Sequence, residues 1–152
     1  MEHSRLLIFP HQLFAEHPGL QPEVPVSLIE DNLFFGGPRH IRSFHKQKLW
    51  LHRASMTRYA NALRHRGHTV DYVDHRPEGG TLHGALMALA QAGLKRVVVA
   101  DPHDDLLARR LQRICDQLSL ELTCLETPMF LNTATDNRRY RNGKRRWFMA
   151  DY

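Results

Sequence analysis

Short continuous apolar runs alternate along the chain with longer stretches in which apolar residues recur every three or four positions. The runs predict strands that are covered on both faces of a sheet, and they occupy residues 6–9, 26–29, 70–73, 97–100 and 120–125. The helical spacing falls between them, at Leu49, His52, Met56, Tyr59 and Leu63, at Leu82, Leu86 and Leu89, and at Leu107, Leu111, Ile114 and Leu118. This alternation predicts an α/β fold, a five-stranded parallel Rossmann-like sheet with helices on both faces.

Two connections interrupt this alternation. Residues 10–23 and 31–44 are long, and they are rich in proline, glycine and polar residues. Each follows the carboxyl end of a predicted strand, which is where open α/β sheets bind their ligands. We therefore expect a binding site to include these two connections.

The positive charge of the chain is concentrated near one end. The formal net charge is +5, and subtracting the six cations of residues 138–146 leaves −1. These cations are Arg138, Arg139, Arg141, Lys144, Arg145 and Arg146. We therefore predict an α/β domain over residues 1–136 and a basic segment over residues 137–152, and any contact with nucleic acid is expected from that segment.

Several kinds of site are disfavoured by the sequence. The first strand is followed by PHQLF rather than a glycine-rich phosphate loop, which argues against a standard dinucleotide or P-loop site. The acidic cluster that begins at Asp101 fits a helix cap, with Asp104 or Asp105 as the capping residue, better than a cation site. The histidines lack metal-binding spacing, and Ser55 lies within a helix without a nucleophile elbow. We expect neither a metal site nor a catalytic residue.

Cysteine content and hydropathy bear on the cellular environment. Cys115 and Cys124 are too few for a secreted disulfide framework, and no apolar run approaches the ~20 residues of a membrane span. Met1 to Phe9 becomes polar too quickly for a signal peptide. A cytoplasmic protein without a membrane partner is expected.

Three stretches carry a resemblance to a known family: LIFPHQLF at 7–14, LIEDNLFF at 28–35 and FHKQKLWLHRASMTRYANALRHRGHTVDY at 44–72. Together they resemble the amino-terminal domain of the bacterial deoxyribodipyrimidine photolyase-related proteins of the cryptochrome and photolyase class. FHKQKL followed by LHRASM is the most specific part. The resemblance continues through TPMFLNT at 127–133 to RRWFMADY and covers essentially the whole chain.

The resemblance implies that the α/β domain holds a light-harvesting antenna chromophore, in characterised relatives a ribityl lumazine, at the carboxyl ends of the strands. Family members are several times longer, and their carboxyl-terminal helical domain holds FAD, a DNA-binding surface and, in many members, an iron–sulfur cluster. This sequence stops where that domain would begin. We therefore expect a partner role toward an FAD domain, linked to DNA repair or blue-light sensing, and no catalysis by this chain alone.

Carried over by position, the resemblance implies a set of pocket residues: Pro10, His11, Gln12, Leu13, Glu30, Asp31, Leu33, Phe34, Phe44 and Lys46. A flat heteroaromatic ring needs an apolar sandwich and a few hydrogen-bonding groups. Phe34 and Phe44 are candidates for the sandwich, and Gln12 and Glu30 for the hydrogen bonds. Lys46 would meet the polar tail of a ligand, an acidic residue such as Glu30, or water.

Two other functions stay open at this point. One is a free-standing nucleotide-binding α/β domain, which shares the sheet architecture but normally carries a glycine-rich loop. The other is a nucleic-acid interaction module that works through the arginine-rich and aromatic residues of the basic segment.

Overall fold

A computed structural model of the chain describes residues 3–38 and 43–144. Its strands are β1 Ser4–Ile8, β2 Val26–Ile29, β3 Val70–Val73, β4 Arg96–Ala100 and β5 Glu121–Leu125. They pair in parallel, in the order β3-β2-β1-β4-β5. The helices are α1 Asn32–Phe35, α2 Lys46–His65, α3 Thr81–Gln91, α4 Asp105–Gln117 and α5 Ala134–Arg141. The predicted α/β fold with a five-stranded parallel sheet is confirmed.

The central strands are mainly apolar because both of their faces are covered. Leu7 of β1 lies opposite Ser27 of β2 and Val99 of β4. Its neighbours Leu6 and Ile8 point to the other face, and both are also fully buried. The continuous apolar runs thus correspond to strands with two buried faces.

Helices α3 and α4 cover one face of the sheet, and α2 covers part of the other. The first core includes Leu7, Leu82, Leu86, Leu107, Leu111 and Ile114. The second includes Leu6, Ile8, Met56, Ala60 and Leu63. The apolar positions that predicted the three long helices are therefore the positions that bury these helices against the sheet.

The connection between β1 and β2 packs on the α2 side as a loop without a helix, as its composition predicted. Tyr59 on α2 donates a hydrogen bond to the carbonyl of Phe14 at 2.7 Å. Gly19 lies so close to β1 that an added Cβ would come within 2.6 Å of Leu6 Cδ1. His17 is buried, and its Nδ1 accepts a hydrogen bond from the Gly19 N–H at 3.1 Å. The loop thus depends on glycine and on a buried imidazole.

Two helix starts bear on the sequence predictions. Asp104 caps α4 by accepting a hydrogen bond from the Leu107 N–H at 2.9 Å, so the predicted capping role is confirmed. Thr133 caps α5 in a reciprocal capping box with Asp136. Because α5 continues past position 136, the boundary after residue 136 lies within this helix, and the two-part division stays a prediction.

Two features bear on the cellular environment of the chain, the state of its cysteines and the hydropathy of its helices. Cys115 is buried and Cys124 is exposed, and neither forms a disulfide. In residues 3–38 and 43–144, no helix has the length and apolar character needed to cross a membrane. The cytoplasmic location stays a prediction.

We predict that His17 makes the stability of the fold sensitive to mild acid. Burial lowers the pKa of His17 to about 4, against about 6.5 in an unfolded chain. Its stabilising contribution is therefore complete above about pH 6.5 and is lost as the pH falls toward about 4. Denaturant unfolding should show about 2 kcal/mol less stability from this group at about pH 5 than at about pH 7.5.

The control for this prediction is His17→Asn, whose side-chain oxygen can still accept from the Gly19 N–H. On going from about pH 7.5 to about pH 5, the unmodified chain should lose about 2 kcal/mol more unfolding free energy than this variant does. An identical pH dependence in both proteins would show that His17 is not the titrating group.

Candidate functional site

The carboxyl ends of β1 and β4 are joined by side chains that follow β1. His11 Nε2 lies 2.9 Å from the carbonyl oxygen of Pro102, which is two residues beyond the end of β4. Gln12 is fully buried and donates from Nε2 to the carbonyl of Ala100 at 2.7 Å. The residues after β1 therefore lie at the edge of the sheet where ligands of α/β proteins bind.

Glu30, directly after β2, is fully buried and has several hydrogen-bond donors around it. Arg53 of α2 donates to both carboxylate oxygens, at 2.7 Å from Nε. Tyr72 donates its hydroxyl at 2.8 Å, and the backbone N–H of His75 donates at 2.9 Å. Burial by itself raises the pKa of Glu30, but the bonds from Arg53, His75 and Tyr72 outweigh it and lower the pKa below its ordinary value.

Asp31 makes a second ion pair next to the first, and in both pairs the carboxylate is buried while the arginine is partly exposed. Arg110 of α4 reaches its two oxygens at 2.9 and 3.1 Å. The same carboxylate caps α1 by accepting from the Leu33 N–H at 2.9 Å. The end of β2 is therefore tied to helices on both faces of the sheet, to α2 through Glu30 and to α4 through Asp31.

Next to these ion pairs, two imidazoles contact one phenyl ring. The ring of His11 stacks on that of Phe34 with centroids 5.0 Å apart and planes 25° apart. Phe9 lies farther from His11, at 6.5 Å. His52 of α2 meets Phe34 edge-on at 6.3 Å. We call these side chains the His11–Phe34–His52 cluster.

Each imidazole of the cluster has one buried nitrogen that lacks a hydrogen-bond partner within the described part of the chain. These atoms are His11 Nδ1 and His52 Nε2. Burial lowers the pKa of both histidines, and the nearby positive charge of Lys48 lowers that of His52 further. One neutral imidazole is thus stacked on the phenyl ring and the other lies edge-on to it, and each has a nitrogen that could hydrogen-bond a polar group placed next to it.

The start of α2 borders the same edge of the sheet. His45 caps this helix by accepting from the Gln47 N–H at 3.2 Å. Lys48 places its Nζ 4.2 Å from the centroid of the Phe44 ring, whereas Lys46 is exposed at the first helical position. Of the three alternatives predicted for Lys46, an ion pair with Glu30 or Asp31 is not seen among the described residues, where arginines pair with both carboxylates.

The ten predicted pocket residues fall into distinct environments. His11 and Phe34 contact each other in the cluster, and Phe44 and Lys46 lie at the start of α2. The remaining six are engaged within the protein by burial, packing or hydrogen bonds: Pro10, Gln12, Leu13, Glu30, Asp31 and Leu33. No ligand contact has been tested for any of the ten, so their assignment stays a prediction.

Sequence reasoning missed three side chains that shape this region. Arg53 and Arg110 pair with Glu30 and Asp31, and His52 contacts Phe34. His52 could have been recognised from the sequence, because it occupies a position on the apolar stripe of α2 where a nonpolar side chain is expected. Within the described ranges, no group of three or more His, Cys, Asp or Glu side chains is placed to hold a metal ion.

The predicted nucleic-acid residues lie partly on α5. Arg138, Arg139 and Arg141 are in its last turn and are exposed. Lys144 places its Nζ 3.9 Å from the centroid of the Tyr140 ring. Arg145 and Arg146 lie outside the described residues. Nucleic-acid binding by these residues stays a prediction.

We predict that Glu30 contributes strongly to stability. In Glu30→Gln, a neutral amide replaces the buried carboxylate and is a weaker acceptor for the partly exposed Arg53, so the free energy of unfolding should fall by about 2 kcal/mol. Denaturant unfolding at neutral pH measures this loss.

Glu121→Gln is the matched control, because Glu121 pairs with Arg96 at 2.9 Å and both side chains are at least half exposed. Its loss should stay below about 1 kcal/mol. Similar losses in the two variants would contradict the structural role given to Glu30.

Comparison with known proteins adds one positive finding. A family model described as deoxyribodipyrimidine photo-lyase-related protein matches residues 6–152. The matched range includes the His11–Phe34–His52 cluster and the ion pairs of Glu30 and Asp31. A search of curated proteins finds no match.

Proposed function

This chain belongs to the deoxyribodipyrimidine photo-lyase-related protein family, and from that premise we propose that it binds an antenna chromophore and harvests light for a photolyase-related flavoprotein. The parent activity would be DNA repair or blue-light sensing. The observation that carries the proposal is the His11–Phe34–His52 cluster at the carboxyl ends of the strands.

The chemistry of the cluster suits a planar heteroaromatic pigment of the lumazine type. Such a pigment has a flat face that packs on an aromatic ring and polar atoms around its edge. Phe34 provides the ring, and His11 Nδ1 and His52 Nε2 provide polar atoms that have no partner among the described residues. Because buried polar groups are normally hydrogen-bonded, a polar ligand at this position would supply the partners that these two nitrogens lack among the described residues.

The ion pairs next to the cluster have a positioning role in this proposal. Asp31 caps α1, the helix that carries Phe34, and it is held in turn by Arg110. Glu30 holds Arg53, one residue after His52 on α2. A ring and an imidazole that are already fixed lose little conformational entropy when a ligand binds, which favours affinity.

The chain itself needs no reacting group for this function. Its residues bind and orient the pigment, which absorbs light and passes excitation to an acceptor. We propose FAD in a separate helical domain as that acceptor, with an iron–sulfur cluster and the DNA surface also in that domain. The partner of this chain is then the FAD domain.

Binding of a ribityl lumazine to the purified chain tests the proposal. We expect a shift of the near-ultraviolet absorption of the lumazine on binding, and Phe34→Ala should weaken the affinity about tenfold through lost ring contact. Tyr140→Ala, which removes an aromatic ring from α5, should leave the affinity unchanged.

Three results would contradict the proposal: no lumazine binding by the unmodified chain, equal affinity in Phe34→Ala, or thermal stabilisation by ATP but by no lumazine or flavin. The last result would favour the free-standing nucleotide-binding alternative.

The exposed arginines of α5 favour a second candidate function, contact with nucleic acid. We propose that Arg138, Arg139 and Arg141 meet phosphate groups of DNA. Replacing all three by Gln should weaken DNA binding and reduce the slope of log affinity against log salt by about 2 to 3. Fluorescence anisotropy with duplex DNA at several salt concentrations measures both quantities.

The control is a second triple variant that loses the same amount of positive charge. In it, Gln replaces three exposed cations on other parts of the described surface, Arg58, Lys95 and Arg113. Equal effects of the two triple variants would indicate a response to net charge alone and would contradict a site on α5.

A further inference from the structure

The position of the proton on His11 follows from one contact. Its Nε2 lies 2.9 Å from the carbonyl oxygen of Pro102. A carbonyl oxygen only accepts hydrogen bonds, so Nε2 has to carry a proton for this bond to form. The protein backbone therefore sets the tautomer of this imidazole.

The other nitrogen of His11 is then a hydrogen-bond acceptor. Burial lowers the pKa of His11, so the ring is neutral at neutral pH and Nδ1 keeps its lone pair. This atom is shielded from solvent, and none of the described residues donates to it. A group that satisfies it has to supply an N–H or O–H, because a carbonyl or phosphate oxygen would repel the lone pair.

We propose that His11 Nδ1 accepts a hydrogen bond from a ring N–H of the bound pigment, so that the site selects heterocycles with a cyclic imide edge. Lumazines and flavins have this edge, with one N–H between two carbonyl groups. The inference rests on the proposed chromophore-binding function and adds to it the atom that recognises the pigment.

The side chains next to His11 are placed to suit the cyclic imide edge of such a ligand. His11 and Phe34 have nearly parallel planes, so a flat ligand that meets Nδ1 in the imidazole plane also runs parallel to the phenyl ring. His52 Nε2 is the second buried nitrogen and can donate to a carbonyl next to the ligand N–H.

The test compares two ligands with the unmodified chain, a ribityl lumazine and the same lumazine methylated at its imide nitrogen. Methylation removes the donor and leaves the ring and the ribityl chain intact. We expect the methylated ligand to bind about tenfold more weakly, the size of one net hydrogen bond with a buried acceptor. Absorption or fluorescence titration measures both dissociation constants.

A variant separates loss of this hydrogen bond from a steric effect of the methyl group. His11→Phe keeps a ring on Phe34 and removes the acceptor, so the two ligands should differ less than twofold in affinity for it. His65→Phe, at the other end of α2, should keep the full tenfold difference.

The possible failures are distinct. Equal binding of both ligands by the unmodified chain overturns the role of His11 Nδ1 and leaves the chromophore-binding function standing. A tenfold preference that persists in His11→Phe also overturns this role and assigns the selection to another group. Failure of both ligands to bind overturns the proposed function and this inference with it.

Discussion

Two adjacent carboxylates buried at the end of β2 impose the constraint on which this edge of the sheet depends. Glu30 and Asp31 are both fully buried, and a buried carboxylate is tolerated only when it is paired and hydrogen-bonded. Arg53 and Arg110 meet that requirement from helices on opposite faces of the sheet. The electrostatic need of two neighbouring residues thus fixes α1, α2 and α4 relative to β2.

The candidate site is a consequence of this constraint. Asp31 caps the short helix that carries Phe34, and Glu30 anchors α2 one residue beyond His52. His11 is positioned independently, through the carbonyl of Pro102 after β4. Three separate anchors therefore bring a phenyl ring and two imidazoles together, and one buried nitrogen of each imidazole has no hydrogen-bond partner among the described residues.

The strands and long helices were predictable because burial on one or both faces imposes a local period on the sequence. The family resemblance supplied the candidate residues after β1 and β2. Of these, His11 and Phe34 contact each other in the structure. The roles of the charged residues were not predictable, because the partners of Glu30 and Asp31 lie 23 and 79 positions away along the chain. Local patterns carry no information on such pairings, which only the tertiary structure brings together.

The most direct measurement is a heteronuclear NMR titration of the chain with a ribityl lumazine. If the cluster holds the pigment, chemical-shift changes should concentrate at His11, Phe34 and His52 and at their neighbours in sequence, while signals from α5 stay in place. Changes confined to other parts of the sheet, or no saturable change at all, would contradict the account.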